Sequence, residues 1–287
     1  MAVVTNTEAR SGSRRPYGRG ARPAGRLGAR FAALRQRGEL TLVAYVTVGD
    51  PTLTFTEKLV LRLAEAGADV IELGVPFSDP IADGPVIQRA SERALRRGTT
   101  LTEVLALAAR LRSQNEVPLV LFSYYNPVLQ LGRERFAAEV AAAGVDAVLI
   151  TDLTPEEAGD YLAVVWRRKL ATVFLAAPTS SPARLKRIAE VSRGFVYVIA
   201  RRGVTGARAD VPEDLPGLVG RLRRYTKLPL AVGFGISQPE QVRALARLAD
   251  GVVVGSALVE CCERHGHSEE ALAAAAALVQ ELKGAAK

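Results

Sequence analysis

DVIELGVPFSDPIADGP, residues 69–85, begins as a strand and ends as a loop. DVIELGV (69–75) is apolar over most of its length, with β-branched residues that suit extended backbone. PFSDPIADGP (76–85) is dense in Pro, Gly and Asp, the residues that set turns. A strand with little polar residue on either face is one covered on both faces, as in a parallel sheet wrapped by helices. Alternation puts Val70, Glu72 and Gly74 on one side, and Ile71, Leu73 and Val75 on the other. With the second set against helices, Glu72 points inward and Gly74 leaves open space beside it.

Outward from this segment the same order repeats. Further runs are TLVAYVT (41–47), PLVLFSYY (118–125), DAVLITD (146–152), ATVFLAA (171–177), FVYVIA (195–200), PLAVGFG (229–235) and GVVVGS (251–256). Helical period fills 54–66, 101–113, 133–143, 155–169, 182–192, 213–224, 238–248 and 268–282. Eight strand–helix units predict an α/β fold, a single-domain (β/α)8 TIM barrel. An open doubly wound sheet needs one run to be misread. No linker interrupts the chain after residue 30, so the barrel is expected to occupy 31–287.

Of the eight net positive charges, six fall in residues 1–30, which hold seven arginines and one acid, Glu8. That Gly/Arg/Pro-rich stretch reads as a basic, disordered extension, and the remainder is ordinary for an enzyme that binds neither nucleic acid nor membrane. No apolar stretch reaches the roughly 18–20 residues of a membrane span, and no leader with an apolar centre is visible. Cys261 and Cys262 are adjacent, which suits a reducing cytoplasm. With His265 and His267 they match no standard metal spacing, so no metal site is expected.

In such a barrel the active face is built by the loops after the strands. Glu72, Tyr124, Tyr125, Asn126, Asp152, Arg201 and Arg202 all lie at or just past the ends of the runs. Glu72 is either half of an internal ion pair or a group whose pKa burial raises for proton transfer. Asp79 and Asp83 fit a second acidic function or plain turn chemistry. GFGIS (233–237) and GSA (255–257) end the seventh and eighth runs, where barrels commonly bind phosphate. Gly235 and Gly255 would let main-chain N–H groups approach the anion, and Ser256 would add a hydroxyl. Phe122, Leu149 and Phe234 would supply an apolar wall.

ELGVPFSDPIADGPVIQ (72–88) closely resembles the hallmark segment of tryptophan synthase alpha subunits. AYVTVGDP (44–51), YYNPVL, RGVTGAR, GFGIS and GSALV follow that family's order and spacing, so the resemblance spans about residues 30–280. It implies a lyase that splits indole-3-glycerol phosphate into indole and glyceraldehyde 3-phosphate. Glu72 would then be the catalytic acid–base, and Asp83 would contact the indole nitrogen. Tyr45 would lie near the indole and Tyr197 near the substrate hydroxyls, with Tyr124 also in the substrate-binding set. Gly206 would join the phosphate shell, and Thr205 would bond Asp83 when the lid RRGVTGARADVP (201–212) closes. Ala200-Arg201-Arg202 departs from a Ser-containing segment common in relatives, which bears on lid and partner coupling. The family also implies an α2β2 assembly with a beta subunit that carries pyridoxal phosphate, this chain having no cofactor of its own. The positions around Pro76, Asp79 and Asn126-Pro127 would face it. Alternatives are a stand-alone lyase releasing indole, a noncatalytic barrel that activates a partner, and a phosphoribosyl-isomerase-like barrel.

Overall fold

Eight short parallel strands pair in chain order and close on themselves: β1 Thr41–Thr47, β2 Val70–Gly74, β3 Leu119–Ser123, β4 Ala147–Ile150, β5 Ala171–Ala176, β6 Val196–Ile199, β7 Leu230–Gly233 and β8 Gly251–Val254. The computed structural model describes residues 25–200, 212–233 and 235–287. The helices are α1 Gly25–Gln36, α2 Leu53–Glu65, α3 Pro85–Arg96, α4 Leu101–Gln114, α5 Tyr125–Leu131 and α6 Arg133–Ala142. They continue as α7 Gly159–Arg167, α8 Pro182–Val191, α9 Leu215–Arg223, α10 Pro239–Leu245, α11 Ser256–Arg264 and α12 Glu269–Ala285. The fold is the expected (β/α)8 barrel.

Alternation along each strand sorts side chains into two cores. Ile71, Leu73 and Val75 join the large outer cluster against the helices, while Val70 meets Val43, Val120, Ala147 and Val253 inside. This division, expected from the pleat, is what turns Glu72 inward.

The amino-terminal end of the barrel is closed by α1. Its Leu27 and Phe31 join the inner cluster, and Phe31 meets Phe195 with ring centroids 5.5 Å apart. Residues 25–30, read from sequence as the end of the basic arm, are thus the first half of this helix. A repeated device holds it. Asp69, Asp146 and Asp250 stand just before β2, β4 and β8, and each accepts a main-chain N–H from the preceding strand. The donors are Leu42 at 2.8 Å, Leu119 at 2.9 Å and Leu230 at 2.8 Å. Arg26 pairs with Asp146, Arg30 with Asp69 and Arg35 with Asp250. Asp69, the fully buried member, is tolerated because donors and cations surround it.

Four helices lie outside the stretches read from sequence: α1, α3, α5 and α11. The third run was also read too long, since Tyr125 already begins α5, where Asp152 accepts its N–H at 2.7 Å. Asp152, noted as a polar strand-end residue, therefore satisfies a helix start.

Candidate active site

At the carboxyl ends of the strands, Glu72 sits in register with Tyr45 on β1 and Val120 on β3. Its side chain is buried, the residue being 1% exposed, and neither carboxylate oxygen has a hydrogen-bond partner among the described residues. The internal ion pair considered from sequence is absent among those residues. Burial alone lifts its pKa from 4.5 to about 8, because low-dielectric surroundings disfavour the anion. A structural carboxylate left so would be costly. A proton donor for chemistry near neutral pH needs this environment.

Asp83 lies in the loop that leaves β2, two residues before α3. Tyr124 donates its hydroxyl to Asp83 Oδ2 at 3.0 Å and accepts the Ala82 N–H at 3.1 Å. Burial raises the Asp83 pKa to about 6, against the lowering effect of the Tyr124 hydrogen bond. The Tyr124 ring stacks on Phe77, centroids 4.9 Å apart, which fixes the phenol that holds the loop. Phe77 escaped the sequence reading, since nothing in a single aromatic within a turn marks its stacking partner.

Two tyrosines complete the pocket, each lodged over a glycine of the next strand. A β-carbon at Gly74 would collide with the Tyr45 phenol, and one at Gly233 with the Tyr197 phenol. This corrects the reading of Gly74: the space above it is filled by Tyr45 rather than left for a ligand. Tyr45 meets Phe122 edge-on at 5.2 Å, and Thr47 donates to its hydroxyl at 3.4 Å. Burial raises both phenols' pKa, and the Glu72 and Asp83 carboxylates add to it. Both therefore remain neutral donors near the two acids.

Phe122 and Leu149 pair in register and both face the interior. Leu175 joins them, beside Tyr197 in the register of β5 and β6. It is an addition to the sequence-derived wall, legible by continuing the alternation of ATVFLAA. On the opposite rim, Gly235 adopts φ +82°, a conformation that side chains disfavour. Gly255 caps α11, of which Ser256 is the first residue. The unpaired N–H groups of a helix start favour an anion there. Thr205, Gly206 and Phe234, with Arg201 and Arg202, lie outside the described residues.

Among the positions matched to a partner face, Asp79 and Asn126 are exposed and Pro127 half-buried, whereas Pro76 is buried within the chain. Ile81, 83% exposed, and Leu129, 53% exposed, are large apolar side chains on the same two segments. Cys262 is buried and its thiol pushed up to about 12, chiefly by that burial. Among the described residues no cluster of three or more metal-ligating side chains occurs, and no helix is long and apolar enough to cross a membrane.

Glu72, buried, inward-facing and without a hydrogen-bond partner among the described residues, and Asp83, held by Tyr124, stand at the mouth of a parallel barrel near the glycine-capped start of α11. That arrangement fits an acid–base enzyme of the (β/α)8 class. Comparison with known proteins resolves which. The family model described as tryptophan synthase alpha chain matches residues 31–287, and the chain belongs to that family. It is a lyase of tryptophan biosynthesis. A tryptophan synthase alpha chain from Citrifermentans bemidjiense is 53% identical over 244 residues, covering 85% of this chain and 91% of that protein. One from Solibacter usitatus is 52% identical over 243 residues, covering 85% and 91%. Among solved structures, Mycobacterium tuberculosis tryptophan synthase superposes with TM-score 0.84 at 40% identity, covering 92% of this chain and 98% of that one. The tryptophan synthase complex from Pyrococcus furiosus gives 0.79 at 40% identity, covering 86% and 98%.

Proposed function

We propose that Glu72 and Asp83 together perform retro-aldol cleavage of indole-3-glycerol phosphate. Glu72, protonated near neutral pH, delivers its proton to indole C3. The ring nitrogen then carries positive character, which the ionised Asp83 stabilises as its hydrogen-bond acceptor. Glu72, now a carboxylate, takes the proton from the hydroxyl on the carbon attached to C3. That carbon becomes the aldehyde, and the electrons of the breaking C–C bond return to the ring and neutralise the nitrogen. Indole and glyceraldehyde 3-phosphate leave, and Glu72, already reprotonated by the substrate hydroxyl, stands ready for the next turnover.

In this reading Tyr45, Phe122, Leu149 and Leu175 enclose the indole, and Tyr197 addresses the hydroxyls. Tyr124 holds Asp83 in place. Gly235, Gly255 and Ser256 receive the phosphate, with Gly206 and Phe234 adjoining and Thr205 closing onto Asp83. The catalytic unit is the barrel, residues 31–287, together with the first half of its closing helix α1, residues 25–30.

The observation that carries the reading is the Glu72 carboxyl, buried without a hydrogen-bond partner among the described residues and facing inward beside Tyr45. Single-turnover mixing with indole-3-glycerol phosphate tests it. Wild type releases indole; Glu72→Gln and Asp83→Asn still bind substrate but lose most of the chemical step. Unchanged turnover in both variants refutes the assignment.

The partner follows from the same reading. A beta subunit carrying pyridoxal phosphate would dock over Asp79, Ile81, Asn126 and Leu129 and take the indole directly, in an α2β2 assembly. Its addition should raise the cleavage rate, and sedimentation of the mixture reads the stoichiometry. Strong cleavage by the isolated chain, unaffected by the partner, would instead favour a stand-alone lyase.

A further inference from the structure

Away from the reacting groups, Arg93 near the end of α3 bridges two other segments. Its Nε and Nη2 grip both carboxylate oxygens of Asp50 at 2.7 and 2.8 Å, and its Nη1 donates to Glu263 Oε1 at 2.8 Å. Arg89, one turn earlier, forks onto the same Glu263 at 3.0 and 2.7 Å. Asp50 is buried in the turn that leaves β1, and Glu263 lies near the end of α11. His267 Nε2 stands 3.5 Å from Asp50 Oδ1, just beyond that helix.

These helices matter because of what their leading ends carry. Two residues before α3 is Asp83, and α11 opens at Ser256 with Gly255 as its cap. Between the two ends they pack together, Ile87 and Ala90 with Val259, over Tyr45. Small apolar contacts are non-directional and leave the angle between two rods weakly fixed. Directional bonds from Arg93 and Arg89 to Glu263 restrain that angle, and the fork from Arg93 onto Asp50 ties the helix pair to the turn that leaves β1.

We propose that Arg93 is a positioning residue for the cleavage, setting the separation between Asp83 and the phosphate-binding start of α11. The proposal rests on the function read above. It extends that function to a side chain that touches no reacting atom. The two substrate ends must be held at once, and a misplacement near 1 Å can cost about a hundredfold in rate.

Arg93→Lys tests it, since lysine keeps the charge but cannot fork onto Asp50 while reaching Glu263. Kinetics are taken well below the melting temperature of each variant, with folding checked by circular dichroism. The expected result is a loss of about tenfold in kcat/KM, with a higher KM and weaker competitive inhibition by inorganic phosphate. Glu263→Gln, which spares the Asp50 grip, should move the same constants by about threefold. Arg110→Lys makes the matched change in the exposed bridge to Glu57 and should leave them unchanged.

A merely structural role would lower melting temperature while KM, kcat and the phosphate constant stay within about twofold of wild type in the folded variants. That result overturns the proposal. Should Arg93→Lys not fold, Glu263→Gln decides alone by the same criterion. Should wild type show no cleavage, the assigned reaction fails instead. Phosphate binding measured by calorimetry on wild type and both variants then still decides the Arg93 link.

Discussion

Tyr124 gives its phenolic proton to Asp83 across 3.0 Å and takes the N–H of Ala82, the residue just before that acid, at 3.1 Å. One side chain from the end of β3 therefore fixes both the carboxylate and the backbone of the loop bearing it. The hydrogen bond also counters burial, which by itself pushes the Asp83 pKa upward.

Tyr124→Phe should consequently raise the Asp83 pKa above its value of about 6. If Asp83 must be ionised and Glu72 protonated, kcat/KM in wild type is bell-shaped, with limbs near 6 and 8. In the variant the acid limb moves to higher pH, so the loss is larger at pH 6 than at pH 7.5. A full pH–rate profile reads this directly. An acid limb that stays in place would show that the phenol does not tune Asp83.

Glu72→Gln should stabilise the protein in neutral and alkaline buffer while abolishing its chemistry. A carboxyl with a folded value of about 8 against an ordinary 4.5 holds its proton more tightly when folded. Its contribution is fully favourable below about 4.5 and is lost as pH rises toward 8. At pH 7 the native state thus bears a cost on the order of 3 kcal/mol that the amide removes. Urea unfolding at pH 8 and pH 5 should show a gain for the variant that shrinks at the lower pH. Equal differences at both values would mean that Glu72 titrates normally.

How much of this was legible depended on whether a signal was local. TLVAYVT coincides with β1, residue for residue, because β-branched runs bounded by turns are local. Helix α3 was missed although its buried face, Ile87, Ala90, Ser91 and Ala94, recurs at clear helical period, because the segment is polar overall and directly follows a turn-rich loop. Pro85 after Gly84 was the available start signal. The first half of α1, residues 25–30, was taken for the end of a solvated arm because it continues an arginine-rich stretch, yet the carboxylate partners of Arg30, Arg26 and Arg35 stand 39, 120 and 215 positions away. Glu72 declared itself, being an acid in an apolar run. The lodging of Tyr45 over Gly74 did not, since alternation gives a residue's face but not what a neighbouring strand extends across it.

Gly233→Ala should impair turnover through Tyr197. The new methyl would enter the space of the phenol, whose hydroxyl and ring lie against Gly233. Overpacking of this kind costs about 1–3 kcal/mol, and the ring is displaced from beside the acids. We expect kcat/KM to fall by about ten- to a hundredfold, with a melting temperature lowered by several degrees. Normal kinetics with lowered stability would remove Tyr197 from the substrate's surroundings.

Asp69→Asn should do the reverse, harming stability and sparing catalysis. The Asp69 carboxylate is wholly buried at the amino-terminal end, accepting Leu42 N–H at 2.8 Å while Arg30 and Lys283 approach at 2.7 and 2.8 Å. The amide keeps the shape but removes the charge that two cations face, and one of its oxygens becomes a donor group aimed at other donors. Breaking such a buried pairing costs about 3–5 kcal/mol. Because the change lies at the end of the barrel opposite Glu72, KM and kcat measured on folded protein should equal those of wild type. The melting temperature should fall sharply, and more than for Arg30→Gln, since Lys283 would still neutralise Asp69 in that variant. A loss in kcat at full foldedness would mean that the α1 clamp reaches the mouth, and the two ends of the barrel would have to be treated as coupled.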